Sequence, residues 1–148
     1  MTPLLPAWRS RTAAALFDLL DPIPYGMFVG ALIFDITYAT TRNVFWGKGA
    51  AWLVTVGLFF AIVPRFIHLF YVWMPSHREI VTRFDQLDFW LYLAGVVAAI
   101  FNAFVHSRDA YAMVPLNVVL SAITVALLSV ALVARALGKF AFTEAVHE

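Results

Sequence analysis

The chain has 148 residues, of which 63% are hydrophobic and 13% charged. Soluble domains sit near about 45–50% apolar and about 25% charged, so a mean hydropathy of +0.84 excludes burial of all this apolar surface in one small soluble core. A net charge of +1 excludes the electrostatic footprint of a nucleic-acid binder, and the lack of cysteine excludes disulfides, thiolate metal sites, iron–sulfur clusters and a cysteine nucleophile.

Leu4–Leu20 reads as an interfacial helix. Leu5, Trp8, Thr12, Leu16 and Leu19 share one side at helical spacing, with Arg11 and Asp18 on the other, the pattern of a segment lying among headgroups. The plainer alternative is a disordered tail. A signal peptide is not expected, because the apolar run Ala13–Phe17 is short, Asp18 interrupts it and no small-x-small cleavage site follows.

Four continuous apolar stretches follow, at about Ile23–Thr40, Gly49–Met74, Leu87–His106 and Met113–Leu137. A bilayer core takes roughly 20 helical residues. Backbone groups in lipid must pair internally, and the runs do not alternate as barrel strands do, so helices are the expected form. Thr41–Lys48, Pro75–Asp88 and Ser107–Ala110 separate the stretches. Short connections favour antiparallel neighbours. The expected architecture is all-α: a four-helix up-down-up-down transmembrane bundle over residues 23–137, preceded by the interfacial segment 1–22 and followed by a C-terminal tail, 138–148. No internal repeat is evident.

Basic residues orient the bundle. Arg9, Arg11, Arg78, Arg83, Arg135 and Lys139 fall on one side, and Arg42, Lys48 and Arg108 on the other. The excess places both termini in the cytoplasm. Trp46 and Trp52 suit one interfacial belt, and Tyr71, Trp73 and Trp90 the other.

Polar residues within the spans are the candidate functional groups, because a polar side chain in the membrane is costly and turns to the bundle interior. At about 1.5 Å of rise per residue, Asp35 lies roughly 6 Å, Asn102 roughly 7 Å and Ser121 roughly 6 Å from mid-span toward the outer face. Thr55 and Asn117 lie slightly further out. Together they form one candidate polar layer across four helices. Its functional reading is a proton or ligand site around Asp35. Its structural reading is interhelical hydrogen bonding that sets register, which is preferred because Asp35 is the one ionisable member.

Toward the cytoplasmic end, Pro64 precedes Arg65, and His68 follows a turn later. Arg65, His68 and Trp73 are candidate headgroup or partner contacts. Arg65 is expected to snorkel, with Asp88 and Tyr92 at its depth as natural partners; a sharper reading is an anion site shared with His77 and Arg78. Gly26 with Gly30, and Gly95 with Ala99, are small-xxx-small pairs suited to close helix contact.

Several of these features resemble a family of small bacterial membrane proteins, domain of unknown function twenty-two thirty-one. Ile23-Pro24-Tyr25-Gly26 leading to Phe34-Asp35 is similar to the family's opening of its first helix. Trp46, Ala50-Ala51 and Gly57 match its second, and Asn102 before Arg108 matches its third. The resemblance covers about residues 20–137. It departs where many members carry His-Pro before the first helix, replaced here by Asp21-Pro22. A histidine that often opens the third helix is replaced by Gln86-Leu87-Asp88, and the His-containing end by Gly138–Glu148. The resemblance implies a multi-pass protein of the bacterial cytoplasmic membrane and no established activity.

Two classes of function stay open at this level. The first is an accessory or assembly subunit of a larger membrane complex, or a homo-oligomer, with the lipid bilayer and other membrane subunits as partners. The second is a cofactor protein holding haem or quinone. His68 and His106 invite an axial-ligand reading, but lie roughly 10 Å to one side of mid-span and roughly 13 Å to the other, which one haem cannot bridge within a monomer. A quinone in the aromatic-rich cytoplasmic half remains. A transporter would need inverted repeats or oligomerisation. No paired acids, His-x-x-x-His spacing or Gly-x-Ser-x-Gly elbow points to an enzyme.

Overall fold

The structure, a computed structural model, describes residues 20, 22–72, 83–108 and 112–147, with side chains described over 20, 22–62, 86–108 and 112–137. The described residues form four helices: α1 (Pro22–Thr41), α2 (Val44–Val72), α3 (Arg83–His106) and α4 (Leu116–His147). Each contains a stretch long and apolar enough to cross a bilayer, which makes the chain a multi-pass membrane protein. The expected interfacial segment 1–22 lies almost wholly outside the described residues.

Local chemistry sets the helix ends. Pro22 and Pro24 occupy the first turn of α1, where a missing N–H costs nothing. At its other end, Thr37, Thr40 and Thr41 return their hydroxyl protons to carbonyls three or four residues back, so these polar groups are satisfied within the helix. Arg42 then turns to φ 56°, and its N–H bonds Tyr38 O at 2.8 Å, a left-handed cap more often made by glycine. Asn43 starts α2 at once, its Oδ1 accepting the Phe45 N–H at 3.0 Å. This cap starts α2 at Val44, five residues before the expected Gly49. The fourth helix starts after Pro115 instead of at Met113. It runs to His147, through the segment expected as a tail, because Gly138 alone interrupts a run of helix formers.

The helices form a ring in chain order, each packed against its sequence neighbours and α4 closing on α1. Asp35 near the end of α1, His106 at the end of α3 and Asn117 at the start of α4 meet one another. Thus α1 and α3 run parallel, with α4 antiparallel to both. Trp46 at the start of α2 packs at this same end, in a cluster of Tyr38, Val105 and Met113. A second cluster, of Phe28, Ala61, Val96, Ala99 and Leu128, fills the bundle toward the opposite end.

Glycines allow α1 and α2 to approach closely. A Cβ on Gly49 would sit 2.7 Å from the Phe34 ring, and one on Gly57 3.1 Å from that of Phe28. Phe34 in turn meets Trp46 edge to face at 5.0 Å, so Trp46 packs inward in addition to lying near an interface. The small-xxx-small pairs are largely internal. Gly95 faces Leu128 and Gly30 faces Leu53, while nothing lies within 4 Å of a Cβ on Gly26. Large apolar side chains turn outward on all four helices, among them Ile33, Trp52, Phe59, Trp90, Phe101, Phe104 and Val133, while Asp35, Asn102, Asn117, Ser121 and Thr124 turn inward. That reverses the soluble pattern and suits lipid on the outside.

Candidate functional site

The interior of the bundle holds an unusual share of polar side chains. Asp35, Asn102, Asn117, Ser121 and Thr124 are each at most 2% exposed. Helical spacing explains their meeting. Asn117, Ser121 and Thr124 recur every three or four residues along one face of α4, and Asn102 and His106 stand one turn apart on α3.

Asp35 is the hub. Its Oδ2 accepts the Ser121 hydroxyl at 2.5 Å, and its Oδ1 accepts the Asn117 amide N–H at 2.9 Å. Ser121 Oγ in turn accepts an N–H from Asn102 at 2.7 Å, which fixes the direction of this chain: amide to hydroxyl to carboxyl. His106 completes the centre. Its Nε2 lies 2.9 Å from Asp35 Oδ1 and its Nδ1 2.9 Å from the Asn102 carbonyl, with both side chains at most 2% exposed. The carboxamide oxygens of Asn102 and Asn117 are buried and make no hydrogen bond among the described residues.

The structure therefore brings Asp35, Asn102 and Ser121 together and joins Asn117 to them. Thr55 is not part of the layer: it is exposed on α2, and its hydroxyl bonds back to Ala51 O at 2.8 Å. Depth alone could not tell which face of α2 it occupies. His106 is the residue the sequence reading missed as a member. Treated as a point on the helix axis it lay outside the layer, but the imidazole reaches back along α3 toward Asn102 and crosses to α1. The one-turn spacing from Asn102 was the signal that could have found it.

At the other end, Asp88 pairs with Arg135, a partner the sequence did not suggest; the side chain of Arg65, its expected partner, lies outside the described residues. Arg135 Nε and Nη2 both donate to Asp88 Oδ2 at 3.1 Å. Tyr25 Oη lies 3.0 Å from Ser129 Oγ, so this half of the bundle has polar ties of its own. The side chains of Arg65 and His68, and Trp73 altogether, lie outside the described residues, as do His77 and Arg78.

Fold and interior define a helical multi-pass membrane protein with a sealed polar centre near one end. No family model, curated protein or solved structure matches the chain.

Proposed function

We propose that this protein is a non-catalytic accessory or assembly subunit of a membrane complex, acting with other membrane proteins or with further copies of itself. It sits in the bacterial cytoplasmic membrane with both termini cytoplasmic. The observation that supports this reading most is the closure of the polar centre. Asp35 engages both oxygens with Ser121, Asn117 and His106 of its own bundle, and His106 has both ring nitrogens engaged. No side chain of the centre points a nucleophile or base at an open position, as catalysis requires. For the same reason His106 is a poor axial ligand for haem, since ligation would break one of its two hydrogen bonds. A helical bundle whose interior carboxyl and imidazole are engaged within it and whose exterior is apolar is suited to bind laterally within the bilayer, where association rests on shape and packing.

Purification in mild detergent, followed by native mass spectrometry, tests the reading. A defined homo-oligomer, or one membrane protein in fixed stoichiometry with the chain, is the expected result. A strictly monomeric species with nothing in fixed ratio overturns it.

A further inference from the structure

We infer that Asp35 and His106 together form a proton-binding site inside the bundle, whose ligand is a single exchangeable proton.

The argument starts from hydrogen-bond inventory. A backbone carbonyl only accepts, so the 2.9 Å contact between His106 Nδ1 and Asn102 O requires a hydrogen on Nδ1. In a neutral imidazole the other nitrogen is then a bare acceptor. Asp35 Oδ1 stands 2.9 Å from that nitrogen, and an ionised carboxylate also only accepts. Two acceptors at this distance do not form a hydrogen bond. A proton must lie between them, either on Nε2 opposite a carboxylate or on the carboxyl opposite a neutral ring. Both arrangements carry the same total charge and the same number of protons.

Removing that proton leaves one hydrogen for the two contacts of His106. The ring keeps its bond to the Asn102 carbonyl and loses Asp35, or it shifts the hydrogen to Nε2 and loses the carbonyl. The geometry of the bundle thus specifies the proton-loaded state, and unloading it breaks one link at the α1–α3–α4 junction. The other donors to Asp35, from Asn117 and Ser121, suit the carboxyl in either form, so the cluster tolerates the change. An ionisable pair held within a membrane bundle is the ordinary chemistry of a proton site. Beside it, the unpartnered carboxamide oxygens of Asn102 and Asn117 supply two acceptors of the kind that hold water, the carrier by which a proton reaches a buried pair.

Among the described residues, the charged and titratable groups around the pair are few. On α1 the neighbouring ionisable group is Tyr38, buried against Val105 and Met113. At this end α2 contributes Lys48, which is exposed, and α4 contributes only the neutral Asn117, Ser121 and Thr124. Arg42 and Arg108 are exposed in the connections. Asp109 and Tyr111 lie outside the described residues.

The test uses the full chain in lipid nanodiscs, with 15N-labelled histidine and 13C-labelled aspartate, followed by NMR across pH. The His106 signal is assigned with His106→Gln. The expected result is one step in which the His106 nitrogens and the Asp35 carboxyl change together. In Asp35→Asn the new NH2 donates one N–H to the neutral ring and the other to Asn117, whose amide turns round to accept it with the oxygen that had no partner, so the fold is kept and the His106 step disappears from that range. An unchanged His106 step in Asp35→Asn overturns the proposal, as does separate titration of the two groups or a response from neither. Circular dichroism reports whether Asp35→Asn folds. If it does not, coincident change at both residues of the wild-type protein supports the proposal, and any other wild-type outcome overturns it.

Discussion

Arg135 directs both Nε and Nη2 at one oxygen of Asp88, each at 3.1 Å, and so ties the start of α3 to the far half of α4. The pair is mostly enclosed, with side chains 22% and 11% exposed. Enclosure makes the loss of one partner costlier than the loss of both.

Asp88→Leu is therefore expected to destabilise the bundle by about 1–3 kcal/mol, less than a fully buried pair because Arg135 retains some access to solvent or headgroups. The double change Asp88→Leu with Arg135→Leu should recover much of that loss. Thermal unfolding in detergent measures the cycle. Two single effects that simply add would show that the pair is energetically uncoupled.

At Asp35 the expectation separates two substitutions. Asp35→Asn keeps a polar group of the same shape and is expected to unfold within a few degrees of the wild-type protein. Asp35→Leu removes the acceptor for Asn117 and Ser121 and the partner of His106, leaving buried donors that cost about 1–3 kcal/mol apiece when unpaired. Measured interhelical bonds in membranes are smaller, about 0.6 kcal/mol on average, so a total near the low end of that range is expected. Equal melting temperatures for the two variants would remove the cluster from the stability of the fold.

Gly49 and Gly26 offer a comparison within one short hairpin. A methyl group on Gly49 meets the Phe34 ring at 2.7 Å, while one on Gly26 meets nothing within 4 Å. Gly49→Ala is expected to cost about 1–3 kcal/mol as an overpacked contact, and Gly26→Ala to change stability little. The same unfolding assay reads both, and a silent Gly49→Ala would mean that α1 and α2 separate at little cost.

Reporter fusions at Arg108 and Glu148 lie at opposite ends of α4 and are expected to report opposite sides of the membrane, with Glu148 on the cytoplasmic side. The same side for both would contradict a spanning α4.

The existence, number and order of the helices were legible because twenty-residue apolar runs have few other uses. Much of the polar layer was legible too, since depth follows from a constant rise per residue. Depth carries no angle, however, and Thr55 and Trp46 show the difference: one faces outward from its layer, the other packs inward from its belt. Side-chain reach was the second gap. His106 and Arg135 each extend beyond the level of their own Cα to find a carboxylate. Helix ends depended on capping by Asn43 and on the weak breaking power of Gly138, which apolar patterning does not register.

The ties between helices fall into a pattern with a consequence for how the molecule comes together. α1 and α2 are joined through two residues and interlock over glycine, and α3 and α4 are pinned near both ends, by Asp88 with Arg135 and by Asn102 with Ser121. Each half is thus a hairpin with its own internal fastening, and Asp35 and Tyr25 are polar pegs by which the first engages the second. A chain severed between Val72 and Arg83 would yield two fragments able to insert independently and to find each other by lateral diffusion, with the carboxyl of one supplying the missing acceptor of the other.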